Sequence, residues 1–145
     1  MVAKILFLII FLGFTTAFCK PVALEVKMII RDGDMAFDKT TLEVTAGTDL
    51  EISFSNLAAK DSEIEHSVAV VKLGSESDLL ASLKKDDYEI EKAEPKYFIA
   101  KTKLLGPGAK EKITLKALKP GKYTYICLMP GHGTTLGMTG ILTIK

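Results

Sequence analysis

The run Lys122-Tyr123-Thr124-Tyr125-Ile126-Cys127-Leu128, its continuation Met129-Pro130-Gly131-His132-Gly133-Thr134-Thr135-Leu136-Gly137, and the closing run Met138-Thr139-Gly140-Ile141-Leu142-Thr143-Ile144 decide how this chain folds. Both flanking runs are rich in β-branched and aromatic residues with apolar side chains at every second position, as in strands that bury one face. The proline and glycines between them mark a loop. Alternate side chains on a strand face the same way. Cys127 therefore lies with Tyr125 and Tyr123, and Met138 with Gly140, Leu142 and Ile144, so both point into one apolar interior.

Working outward, similar runs recur at Leu24 to Ile30, Thr41 to Val44, Asp49 to Asn56, His66 to Leu73, Lys96 to Leu104 and Lys112 to Leu118. Turn residues separate most of them, among them Asp32-Gly33-Asp34, Ala46-Gly47, Gly106-Pro107-Gly108 and Lys119-Pro120-Gly121. This rhythm predicts an antiparallel sandwich. One segment departs from it: Ser75 to Glu94 sets Leu79, Leu80 and Leu83 at helical spacing, with Ser75 and Asp78 arranged like a capping box. A short helical flap on one flank of the sandwich is expected there.

At the start of the chain, Lys4 precedes an apolar stretch from Ile5 to Phe14, then small residues, then Phe18 and Cys19. That order predicts a secretory signal peptide over residues 1–19, a single domain over 20–145, and a periplasmic location. The stretch is shorter than the roughly 20 residues of a bilayer span, so no transmembrane segment is expected in the mature form. Cleavage after Ala17 or after Cys19 fits the small residues, and lipidation of Cys19 is the alternative, opposed by bulky Phe18 where a small residue belongs.

The full chain carries a net charge of +1, and loss of Lys4 brings it near zero. No phosphate-tracking surface for nucleic acid follows from that balance. Two cysteines are present, and an exported chain that loses Cys19 keeps only Cys127, which cannot form an internal disulfide. A buried apolar thiol is the plainest explanation of such a residue.

The histidines argue for more. There are two, His66 and His132. By strand parity His66 shares a face with Val68 and Val70, pointing into the interior that Cys127 and Met138 also face. A polar ring and a thiol at the end of a core need partners. Two imidazoles and a thiolate with a weak thioether are the ligands of an electron-transfer copper site, whereas zinc favours four firm tetrahedral ligands.

His66-Ser67-Val68, Tyr123-x-Tyr125-x-Cys127-x-x-Pro130-Gly131-His132 and Gly137-Met138-x-Gly140 together resemble the cupredoxins, azurins and auracyanins in particular. Asp34-Met35-Ala36-Phe37 and Thr102-Lys103-Leu104-Leu105-Gly106 extend the resemblance over the expected mature chain. It implies a Greek-key β-sandwich or barrel of about eight strands with a helical flap around residues 75–94. It also implies one copper ion held by His66, Cys127 and His132 in a plane, with Met138 axial, and a backbone carbonyl of Glu65 as a further contact. Two departures stand out. Ser67 replaces the asparagine that most of the family uses to bond across to the cysteine loop. Gly133 to Gly137 make the span from His132 to Met138 longer than the azurin pattern, which leaves Met129 as the rival for the axial role.

The function implied is an exported carrier passing single electrons between redox partners such as cytochromes, reductases or oxidases, which dock on an apolar patch around His132 formed by Met35, Met129, Pro130, Gly131 and Leu136. A monomer is expected. The alternative is a copper-binding or delivery protein of the same fold. A copper enzyme would need further histidines, and a thiol hydrolase would need Cys127 and His132 to meet in an open cleft with an orienting third group.

Overall fold

A computed structural model describes residues 20–145; the leader expected over residues 1–19, Cys19 included, lies outside the described residues. The described chain forms two sheets packed face to face. The first contains β1 (Val22–Arg31), β2 (Asp34–Phe37), β4 (Leu50–Asn56) and β7 (Lys110–Leu115) in the order β2-β1-β4-β7. The second contains β3 (Thr41–Val44), β5 (Val68–Lys72), β6 (Ala100–Lys101), β8 (Gly121–Cys127) and β9 (Thr139–Ile144) in the order β3-β9-β8-β5-β6.

Most expected strands are present with ends moved by one or two residues. The sheets are mixed, however, because β1 runs parallel to β4 and β3 parallel to β9. Both pairings follow from the chain crossing between sheets, which brings non-consecutive strands side by side in the Greek-key manner. The expected run Lys96 to Leu104 shortens to the two residues of β6, preceded by a 3-10 turn at Pro95–Tyr97. Pro95, which cannot donate to a ladder, opens that turn and draws Lys96 and Tyr97 into it. In turn, β2 adds a short strand after the Asp32-Gly33 reversal, where Asp32 and Gly33 both take the left-handed conformation.

The facing sides of the sheets bury Val26, Phe37, Leu42, Ile52, Phe54, Val70, Ile113, Tyr125 and Leu142 among others. Each such side chain contributes about 1.5–3 kcal/mol by leaving water. Strand parity is borne out, since Tyr123, Tyr125, Cys127, Met138, Leu142 and Ile144 join that one cluster with Val68 and Val70.

The flap is α1 (Glu76–Lys85) followed by a 3-10 turn at Ile90–Lys92. Leu79 and Leu83 are buried with Ala69, Val71, Ile126 and Leu128, the outer face of β5 and β8. Two-sided burial explains the unbroken apolar run of β5. The expected capping box does not form, since the Ser75 side chain makes no cap bond. The Glu76 carboxylate instead meets the Thr124 hydroxyl, tying the helix start to β8.

Register fixes two ends of the sandwich. Asn56, Val68 and Cys127 lie at one end, where the 57–67 and 128–138 connections meet. Val22, Leu50, Gly121 and Ile144 lie at the other, together with Lys145, whose backbone bonds Val44 and Ala46.

Candidate metal centre

Cys127 ends β8, and its backbone N–H donates to the Met138 carbonyl at 3.0 Å. The intervening residues close on themselves. The N–H groups of Thr135 and Leu136 donate to Gly131 O, and Met138 N–H donates to His132 O at 2.9 Å. Gly137, at φ 66°, supplies the left-handed step that lets the chain return to the sheet. The five residues between His132 and Met138 are thus accommodated as turns outside the sheet, and Met138 stays opposite Cys127, one residue before β9 begins. Gly133 is required for another reason: a Cβ there would lie 2.5 Å from Ile126 Cγ1 and 2.6 Å from Cys127 O.

His66 comes from the other connection. The expected strand from His66 begins only at Val68, and His66 precedes it as an isolated bridge with Leu105, exchanging backbone bonds of 3.0 and 2.7 Å. Leu128 N–H donates to Ser67 O at 2.7 Å, which joins the two connections. The Ser67 hydroxyl does not reach the cysteine loop. It donates to Thr102 O at 2.9 Å and accepts from the Thr102 hydroxyl at 3.3 Å.

These constraints bring three donor atoms together. His66 Nδ1 and Cys127 Sγ are 3.5 Å apart, Cys127 Sγ and His132 Nδ1 3.7 Å, and the two Nδ1 atoms 3.3 Å. The centre of a triangle with such sides is about 2.0 Å from each corner, which is a metal–nitrogen bond length and slightly under a metal–sulfur one. His66 and Cys127 are buried and His132 is half-buried. Met138 is fully buried in the same cluster as Cys127, while Met129 is only partly buried, bridging that cluster and the one beneath the flap.

Burial sets how these donors titrate. Burial pushes the Cys127 thiol up to about 11, opposed by hydrogen bonding from the nearby backbone, Met129 first and then Ser67 and Leu128. Burial, and then the charge of His132, lower His66 to about 4; burial also lowers His132. Both rings are therefore neutral near pH 7, with lone pairs for a metal. The donor set, two imidazoles and a thiol, with Met138 bonded through its backbone to Cys127, suits copper.

Strand parity located His66, Cys127 and Met138, and the scarcity of histidines pointed to His132, but neither signal revealed that Asn56, Thr102 and Leu105 hold the His66 connection. Asn56 had a visible signal: it is a polar residue on the inward parity of Leu50, Ile52 and Phe54.

Comparison with known proteins gives the same direction. Auracyanin-B of Chloroflexus aurantiacus is 28% identical over 114 residues, which are 76% of this chain and 47% of that protein. The chain thus spans about half the length of that curated relative. The solved structure of a dithionite-reduced auracyanin from Roseiflexus castenholzii is 31% identical, with a TM-score of 0.64, over 86% of this chain and 97% of that one. Auracyanin A from Chloroflexus aurantiacus, described as a "blue" copper protein, is 28% identical with a TM-score of 0.70, over 87% and 100%. Residues 24–145 match the copper-binding plastocyanin/azurin family. With that match over nearly all of the described residues, and two histidines and a cysteine arranged as a possible copper site, the chain belongs to the plastocyanin/azurin family of copper-binding cupredoxins.

Proposed function

We propose that this protein is an exported single-electron carrier in which His66, Cys127 and His132 would hold a copper ion, with Met138 as the weaker fourth ligand. The observation that carries the reading is the triangle of His66 Nδ1, Cys127 Sγ and His132 Nδ1, already spaced for a metal at its centre. Copper bound there supplies one-electron exchange between Cu(I) and Cu(II). The residues do the rest. Donors fixed by backbone bonds have little to rearrange when the charge on the site changes. Cys127 must lose its proton to become a ligand, and hydrogen bonding from the nearby backbone, Met129 first, favours the anion.

His132 is the half-buried member, in a loop with exposed Pro130 and Gly131 and half-buried Met129 and Leu136, and the family resemblance adds half-buried Met35 to an apolar patch around it. Such a patch suits brief docking of a redox partner, a cytochrome, reductase or oxidase. The apolar leader over residues 1–19 supports export to the periplasm. No helix among the described residues is long and apolar enough to cross a membrane. A delivery protein would be expected to expose clustered methionines or histidines. Here both histidines belong to the triangle, Met28 and Met138 are buried, and Met35 and Met129 are partly buried.

Protein loaded with Cu(II) should show an intense visible thiolate-to-copper charge-transfer band that bleaches on reduction. A colourless copper adduct would overturn the carrier reading.

A further inference from the structure

We infer that Asn56 is the positioning residue for His66, holding this ligand through its backbone; the inference rests on His66 being a copper ligand. A ligating histidine is ordinarily oriented by a hydrogen bond from its second ring nitrogen. His66 has none: Nε2 is buried and has no hydrogen-bond partner among the described residues. The ring borders a small cavity whose other walls include Met28, Phe37, Phe54 and Leu105. Its aim must therefore come from the chain that carries it.

That chain is clipped by one carboxamide. Asn56 is 1% exposed at the end of β4. Its Nδ2 donates to Ile64 O and to Leu105 O, each at 2.8 Å, and its Oδ1 accepts from Ala58 N–H at 2.9 Å. Both donor hydrogens are used. Asn56 is itself fixed, since its N–H donates to Ala109 O and its carbonyl accepts from Gly108 N–H. Leu105 O is shared between Asn56 and His66 N–H, and Leu105 N–H returns a bond to His66 O. Two routes thus run from the carboxamide to the ligand, one through Leu105 and one through Ile64, two residues before it. The clip spans the segment in which Glu63 takes a φ of 52°, a left-handed conformation that its surroundings must hold.

Asn56→Asp keeps the shape and the Ala58 bond while losing both donors; Asn56→Ala loses all three bonds. Leu115→Ala, a buried site at the far end of the sandwich, controls for lost stability alone. Each full-length variant is loaded with Cu(II), its visible band and copper hyperfine coupling are recorded, and copper release to a chelator is timed well below the unfolding midpoint. Either Asn56 variant should alter the hyperfine coupling and release copper about 10–100-fold faster than the parent. Leu115→Ala should stay within about twofold of the parent. In the parent itself, the Asn56 side-chain amide protons should exchange with solvent as slowly as sheet amides, a measurement that needs no variant to fold. A blue parent whose Asn56 variants match Leu115→Ala, or whose Asn56 amide protons exchange freely, overturns the role of Asn56 alone. A parent without the band overturns the ligand reading beneath it.

Discussion

Residues 57–66 and residues 127–138 deliver donor side chains to the same triangle, yet they are held in opposite ways. The second segment is tied by its own backbone, through Gly131, His132 and the Cys127–Met138 pair. The first hangs between the sheets and is secured by side chain and strap, Asn56 and Leu105. A backbone-closed loop tolerates changes in its side chains and in its length; a clipped loop depends on one residue. This explains how the longer span after His132 leaves Met138 in place.

The sharpest way to test the contrast begins with the residue on which both segments converge. Cys127→Ser should abolish the charge-transfer band altogether while the protein stays folded, as read by absorbance and far-ultraviolet circular dichroism; a variant that stays blue breaks the assignment. Next, Asn56→Ala should cost roughly 2–4 kcal/mol in denaturant unfolding, since it strands the partly buried Ala58 N–H and Ile64 carbonyl. An ordinary surface-sized loss would show that the first segment is not clipped. In the second segment, Gly133→Ala should cost about 1–3 kcal/mol, because its Cβ must push against Ile126 and the Cys127 carbonyl.

Protons probe the segments as well. In the copper-free protein His66 is lowered to about 4, against an unfolded value near 6.5. The unfolded state then binds more protons in between, so stability is complete above about pH 6.5, falls as pH drops toward 4, and levels off below it. His66→Gln should flatten this slope, measured as denaturant midpoints from pH 7 to 4; an unchanged slope would show that burial of His66 is not felt. The smallest effect is expected from Met138→Leu, a swap of similar volume that should cost less than about 1.5 kcal/mol. It should shift the reduction potential and keep the colour. If Met129→Leu does so instead, the axial role moves to Met129.

Much of this was legible from residue order. Alternation in Lys122 to Leu128 and Met138 to Ile144 set the faces of Cys127 and Met138, and the helical spacing of Leu79 and Leu83 revealed the flap, because both signals depend on local periodicity. Parallel pairing of β1 with β4 was not legible, since it depends on where the chain crosses between sheets. Nor was the Ser67 hydroxyl's turn toward Thr102, or the failure of Ser75 to cap α1, because a short hydroxyl chooses among acceptors that only the folded neighbourhood supplies. Asn56 was half legible: its parity marked it as inward, but its link to the His66 bridge runs through Leu105, 49 residues away.

The far end of the sandwich, where Val22 and Lys145 lie, has a practical consequence. A tether attached at Lys145 leaves the His132 edge facing outward, roughly 20 Å from the support by the length of β8. Protein immobilised that way on an electrode would exchange electrons poorly with the metal beneath it and freely with a dissolved partner, while attachment beside Pro130 would reverse the preference.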